Sequence, residues 1–142
     1  MSGRYMAYVG SYSYTGKAKG ITVFDVDVEN GIFRERCEME VNNSSYVIAS
    51  SDGKTLYSIA DEGVVSFRIL QNGALARLNS APIRGMRGCH LCSDAEDKYV
   101  FVSGYHDGKT TVLSLNEDGS VGEIVDGVFD KGYGSVAERN FR

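Results

Sequence analysis

Tryptophan is missing from the chain, and with no Trp-Asp dipeptide the sequence does not fit the WD40 kind of repeat. Proline occurs once, and no window carries apolar residues at helical spacing over three turns, so helix should be scarce. Long apolar runs are missing too. The most apolar stretch, Tyr99-Val-Phe-Val102, falls far short of the ~20 residues of a membrane-spanning helix, and the start Met-Ser-Gly-Arg-Tyr has no apolar signal core. A cytoplasmic protein with no membrane partner is the expectation. Cys37, Cys89 and Cys92 are an odd number without a secretion signal, which suits reduced thiols better than a disulfide framework. Basic clusters are also missing. The formal charge is −4 and Lys and Arg are scattered singly, so nucleic acid is not an expected partner, although a few local arginines still suit a small anion. Cys89-x-x-Cys92 invites a metal reading, but positions three apart on a strand point to opposite faces and no second ligand pair accompanies them. No metal site is expected. There is likewise no Gly-rich phosphate loop, nucleophile elbow or EF-hand pattern.

What the chain has in quantity is glycine, 17 residues of it, placed between short runs of β-branched and aromatic residues. Sliding the sequence against itself by about 44 residues, a propeller-blade spacing, brings two segments into register. Residues 46–57 lie over residues 90–101, with Lys54 on Lys98 and Tyr57 on Phe101. After a short insertion Phe67-x-Ile69 falls on Leu113-x-Leu115, and Gly73-x-Leu75 on Gly119-x-Val121. A third copy, from Ala7 to Ile32, begins partway through the unit and lacks its first strand. Each full unit reads as four strands, A to D, with A innermost. The pairs Asn30-Gly31, Asn72-Gly73 and Asp118-Gly119 suit a tight C-to-D hairpin in which both turn positions take positive φ. Strand B of the last unit, Tyr99-Val-Phe-Val102, is apolar without alternation and should be buried on both faces. The expectation is an all-β propeller fragment of about three four-stranded blades, the first incomplete, over residues 1–42, 43–86 and 87–132, with a connecting loop at 133–142.

The pieces Tyr8-Val-Gly-Ser-Tyr12, Gly20-Ile-Thr-Val-Phe24, Ser51-Asp-Gly-Lys-x-Leu-Tyr57, Gly88-Cys-His-Leu-Cys92 and Ala137-Glu-Arg139 together resemble the lactonase-type seven-bladed propeller family. That family includes a bacterial 6-phosphogluconolactonase and fungal carboxymuconate-lactonizing enzymes. The resemblance spans essentially all of the chain. It implies the N-terminal part of a longer propeller, since the Pro-His-x-His motif and the later Asn-Glu pair that usually follow the Glu-Arg pair do not occur here. Where the family often has Arg-Gln, this chain has Arg139-Asn140.

Strand direction alternates within a blade, so the D-to-A and B-to-C connections share one rim and the other turns share the opposite one. Polar residues suited to binding gather on the first rim, as function-bearing loops on a rigid scaffold do. His90 begins an innermost strand; it either carries a proton, as an imidazole does near neutral pH, or locks the strand start through a hydrogen bond. The resemblance places Arg139 where the family has an arginine, and paired guanidinium donors suit a carboxylate, a phosphate or a developing oxyanion. Its alternative is a solvated charge. Tyr12, Arg87, Tyr105 and Glu138 are the candidate substrate-binding residues around these two. Arg84 and Arg87 flank Gly85 and Gly88, as an anion contact on flexible loop backbone or as ordinary surface arginines. His106 reads as a solvated loop residue.

The resemblance implies hydrolysis or formation of a sugar-acid or related lactone by the complete protein, with no cofactor and a small anionic lactone or sugar acid as ligand. A non-catalytic propeller that binds ligands or proteins at the same rim is the alternative, because one fold hosts many functions. An arc of about three blades also leaves two sheet faces open, with Val100, Val102, Val112 and Leu113 expected on the last one. The remaining blades or another copy of the chain should cover them.

Overall fold

Eleven strands and no helix make up residues 5–135, the part of the chain that this computed structural model describes. They form three antiparallel meanders in chain order. The first sheet holds β1 (Tyr5–Gly10), β2 (Gly20–Asp27) and β3 (Ile32–Glu40). The second holds β4 (Val47–Ala49), β5 (Thr55–Ala60), β6 (Gly63–Ile69) and β7 (Leu75–Ala81). The third holds β8 (His90–Ser93), β9 (Tyr99–Ser103), β10 (Lys109–Leu115) and β11 (Val121–Phe129). The architecture is that of a partial propeller, the first sheet having three strands among the described residues where the others have four.

Turn chemistry repeats with the sheets. Between β4 and β5, Ser50 N donates to Thr55 O at 2.8 Å and Gly53 N to Ser50 O at 2.9 Å; between β8 and β9, Asp94 N donates to Tyr99 O and Asp97 N to Asp94 O. Asp97 takes the left-handed conformation, φ +51°, that Gly53 takes at +67°, and aspartate tolerates that region better than most residues. The C-to-D hairpins depart from the expected form. Only the glycines, Gly31, Gly73 and Gly119, have positive φ, while Asn30, Asn72 and Asp118 do not. In the second sheet the turn closes over four residues, Gly73 N donating to Leu70 O at 2.8 Å, and the third repeats it with Gly119 N and Asn116 O at 2.9 Å. The residue before the glycine contributes its side chain instead: Asn72 Oδ1 accepts from Ala74 N at 3.0 Å, and Asp118 Oδ1 from Ser120 N at 2.9 Å.

These side-chain caps make the turns acid-sensitive. Hydrogen bonds to Asp27 from Asn30, to Asp52 from Ser50, to Asp94 from the Tyr99 amide and to Asp118 from Ser120 hold all four carboxyls below the ordinary 3.8. A carboxyl depressed on folding contributes stability above its unfolded value and loses it as pH falls through the folded one. The melting temperature should therefore hold from neutral pH to about pH 4 and decline below it. A melt indifferent to pH between about 4 and 2 would show that the caps contribute nothing.

The second sheet is covered on both sides. Leu56, Ala60, Val65 and Phe67 pack with Ile21, Val23 and Val41 of the first sheet's side, whereas Tyr57, Ile59 and Val64 pack with Leu91, Val100, Val102 and Leu113 of the third. Alternation thus sorts the last unit differently from the expectation. Val100, Val102 and Leu113 are buried against the second sheet, and Tyr99, Phe101 and Val112 lie on the outer side, where Tyr99 is 41% exposed. Strand β9 is buried on one face only, because no sheet covers the other among the described residues.

Both seams use the same device. A Cβ on Gly73 would collide with the Met6 side chain, and a Cβ on Gly119 with Thr55 Oγ1, so each hairpin glycine sits down on the preceding sheet. Tyr8 Oη adds a hydrogen bond to Gly73 O at 2.9 Å. Gly31, the corresponding glycine of the first sheet, has nothing within 4 Å.

Candidate functional site

Loops from all three sheets meet on the rim that carries the β1–β2, β5–β6 and β9–β10 connections. Tyr12 lies in the β1–β2 loop, which Ser11 closes by donating its N and Oγ to Gly20 O at 2.7 and 3.0 Å. Asn43 lies between β3 and β4 with φ +54°, a conformation open to asparagine because its side chain bonds locally. Its Oδ1 accepts from Ser13 N and Tyr14 N at 3.0 and 3.1 Å, and its own N donates to Ser13 Oγ at 3.0 Å. Its Nδ2 donates to Asp61 Oδ2 at 2.7 Å. Asp61, in the short β5–β6 turn, accepts from Arg87 Nη1 through Oδ1 at 2.9 Å. The Arg87 guanidinium lies 5.0 Å from the centre of the Tyr12 ring, and Tyr14 packs edge-on against Tyr12 at 5.9 Å. One connected group therefore runs from the first sheet to the third.

Arg87 comes from the β7–β8 loop, whose backbone is held tightly. A Cβ on Gly88 would collide with Val102 Cγ1, and one on Gly85 would lie 2.7 Å from Asp107 Oδ2. Asp107 Oδ2 accepts from Met86 N at 2.9 Å, and Lys109 Nζ donates to Ile83 O and Arg84 O at 3.1 and 3.0 Å. These two glycines are thus close-approach positions, not flexible ones. Arg84, with φ +50°, contributes its carbonyl to this staple.

His90 is the first residue of β8 and is exposed; its ring packs on that of Tyr46 at 4.7 Å. The two are repeat partners, each standing where its blade's innermost strand begins. Tyr105, 74% exposed in the β9–β10 loop, packs on His106 at 5.3 Å. Arg139 and Glu138 lie outside the described residues. Cys37, Cys89 and Cys92 are free thiols, and among the described residues no group of three or more metal-binding side chains comes together.

The structure thus joins Tyr12 to Arg87 and ties both to Asn43 and Asp61, which the sequence places on the rim without giving them a role. A signal for them was available. The register that lays His90 on Tyr46 also lays Arg87 on Asn43, and the later register lays Asp107 on Asp61, so these four stand at matching D-to-A and B-to-C positions, although Arg87 bonds Asp61 of the preceding unit and Asp107 accepts from Met86 N. A cleft of ≈ 580 Å³ opens on the opposite rim between the second and third sheets, lined by Asp52, Lys54, Tyr57, Arg68, Asp97 and Asp118 among others. None of the candidate residues lines it. Burial pushes the Tyr57 phenol there up to about 12.

The family described as Lactonase, 7-bladed beta-propeller, matches residues 6–141. A 6-phosphogluconolactonase of Bacillus subtilis is 34% identical over 124 residues, covering 83% of this chain and 35% of that protein. A second, from Formosa agariphila, is 29% identical over 125 residues, covering 82% and 35%. Among solved structures, a Bacteroides fragilis protein described as a candidate 6-phosphogluconolactonase superposes with a TM-score of 0.88 at 31% identity, over 97% of this chain and 40% of its own. A periplasmic gluconolactonase of Pseudomonas aeruginosa shares the fold with a TM-score of 0.80 at 22% identity, over 88% and 38%. The chain therefore spans between 35% and 40% of the length of each of these proteins.

Proposed function

The chain belongs to the lactonase family of seven-bladed β-propellers, and from that membership we propose that its rim forms part of the lactone site of an enzyme acting on a sugar-acid lactone such as 6-phosphogluconolactone. The observation that supports this reading is the guanidinium of Arg87, stacked on Tyr12 and tethered by Asp61 where loops of three sheets meet. In hydrolysis a water oxygen adds to the lactone carbonyl, the ring C–O bond breaks, and the departing ring oxygen takes up a proton; lactone formation is the reverse. Arg87 and Tyr12 hold the anionic end of the ligand, and Tyr105 borders it. His90, at the start of β8, relays or orients the proton. Arg139 is assigned to the carboxylate or developing oxyanion, with Glu138 beside it. The scheme uses no cofactor. Among the described residues no helix is long and apolar enough to cross a membrane. A cytoplasmic setting is proposed on the three free thiols.

The test is turnover of 6-phosphogluconolactone by a polypeptide extended to the length of the relatives. The 142-residue chain alone should show none, because no Pro-His-x-His motif occurs in it and no Asn-Glu pair follows Glu138-Arg139 as in the family. In the extended protein Arg87→Ala and Arg139→Ala should each lower kcat/KM by roughly 100-fold, as loss of a charge-stabilising donor does. Arg77→Ala is the control, since that arginine sits in β7 paired with Glu62 at 3.2 Å. Equal losses at all three positions would remove the assignment.

A further inference from the structure

The bonding around Arg87 leaves one side of its guanidinium unused. Asp61 takes Nη1 alone, and among the described residues Nε and Nη2 make no hydrogen bond. Those two nitrogens form an edge of parallel N–H donors, the arrangement that meets two oxygens of a carboxylate or phosphate at once. What aims this edge is not Arg87 itself but the two residues behind it. The Asn43 amide cannot rotate, since its Oδ1 is committed to two backbone N–H groups, and its Nδ2 therefore has to face Asp61. The second carboxylate oxygen of Asp61 is then left for Nη1 of Arg87. The Tyr12 ring covers one face of the guanidinium and limits its remaining rotation.

We propose that Asn43 and Asp61 are positioning residues that fix Arg87 so that its Nε–Nη2 edge receives two oxygens of an anionic sugar derivative. The proposal rests on the rim reading above and extends it to residues that do not themselves touch the ligand. It also makes a statement about sign. Asp61 places a negative charge beside an anion site, so if long-range charge governed affinity, neutralising Asp61 would tighten binding. If orientation governs it, neutralisation weakens binding, because an untethered arginine must be ordered each time the anion arrives.

The hydrogen-bond pattern supplies its own repair. Asp61→Asn leaves one acceptor oxygen for two donors, so its NH₂ opposes either Asn43 Nδ2 or Arg87 Nη1, and Asn43→Asp sets two carboxylates face to face. Made together, the exchange restores every bond. The carboxylate now at position 43 still accepts from Ser13 N and Tyr14 N through one oxygen, its second oxygen accepts from the new amide at position 61, and that amide's oxygen accepts from Arg87.

The experiment uses the full chain labelled with ¹⁵N and follows the Arg87 Nε–Hε signal on addition of 6-phosphogluconate, glucose 6-phosphate or gluconate. The first carries both anionic groups, the second phosphate alone and the third carboxylate alone, so the three arms show which anion the edge accepts. A saturable shift is expected in the unsubstituted chain. Asp61→Asn and Asn43→Asp should each weaken it roughly tenfold, and the exchange should recover it to within about threefold. Amides of the second sheet report that the fold is intact. If a single variant loses its dispersed spectrum, the exchange measured against Arg87→Gln decides, with recovery of binding in the first and loss in the second supporting the proposal. Tighter or unchanged binding in folded Asp61→Asn, or an exchange no better than the single variants, overturns the positioning role and leaves the rim reading standing. No saturable shift in the unsubstituted chain overturns both.

Discussion

Purified by itself, the 142-residue chain is expected to run in light scattering at a multiple of 15.5 kDa while denaturing mass analysis returns 15.5 kDa. The reason lies in its two outer faces. On the first sheet the register pairs Tyr5 with Val26 and Ala7 with Phe24, and Phe33 packs on Phe24 at 5.7 Å; Tyr5 and Phe33 are more than half exposed. On the third sheet Tyr99, Phe101 and Val112 line the face turned away from the second. Apolar surface of this extent on a monomer usually marks an interaction site. The seams also show what fits there. Each packed hairpin glycine rests on a residue one sheet earlier, Gly73 on Met6 and Gly119 on Thr55, and Tyr99 follows Met6 and Thr55 in that series. Gly31 is the hairpin glycine with no such residue beneath it. The proposed arrangement is a second copy whose Gly31 hairpin lies over Tyr99 of the first. A head-to-tail contact of this kind closes into a ring or runs on as an open chain, so the mass distribution reads the closure directly. In a polypeptide extended by further blades the same faces are covered within one molecule, and the association should disappear. A single species of 15.5 kDa with a cooperative melt would contradict the prediction.

Much of this is readable from the residues alone, and what is not has physical causes. The repeat register locates the strands because turn glycines and apolar runs recur together, and a turn's chemistry is local. Asp97 standing on Gly53 is in the register too, although only the folded chain shows that both share a left-handed backbone. The unbroken run Tyr99-Val-Phe-Val102 misleads because hydropathy does not say how many faces of a strand have neighbours; it would be equally apolar with or without a further sheet. The hairpin form misleads because an Asn-Gly or Asp-Gly pair fits either a two-residue turn or a three-residue loop that ends on the glycine, as Gln71-Asn72-Gly73 does. Site residues are hardest. Arg87 and Tyr12 stand 75 positions apart in sequence and meet only because two loops on different sheets lean together. Asn43 and Asp61 carry no motif, and what ties them to Arg87 is a bond to each other that only the folded chain shows.

The seam itself can be weighed, and Gly119→Ala should be among the most damaging single-methyl additions in the chain. The residue has φ +86°, where an L side chain costs roughly 1–2 kcal/mol, and its new Cβ would be driven into Thr55 Oγ1, which adds about 1–3 kcal/mol of overpacking. Gly31→Ala is the internal standard. It shares the conformational cost at φ +66° and has nothing within 4 Å, so it should lose only about 1–2 kcal/mol in urea unfolding at dilutions where the chain is single. The difference between the two variants is then the steric part of the seam alone. Pairing Gly119→Ala with Thr55→Ala removes the two side-chain atoms that crowd the new methyl most closely, and the double variant should be more stable than the sum of its parts predicts by roughly 1 kcal/mol or more. Equal losses at Gly31 and Gly119, with no coupling to Thr55, would mean that the hairpin does not bear on the neighbouring sheet. At concentrations where copies associate, Gly31→Ala should acquire a second cost, because its methyl would then meet Tyr99 of the other copy as the Gly119 methyl meets Thr55. A Gly31→Ala chain that associates as well as the unsubstituted one would place the second copy somewhere other than that hairpin.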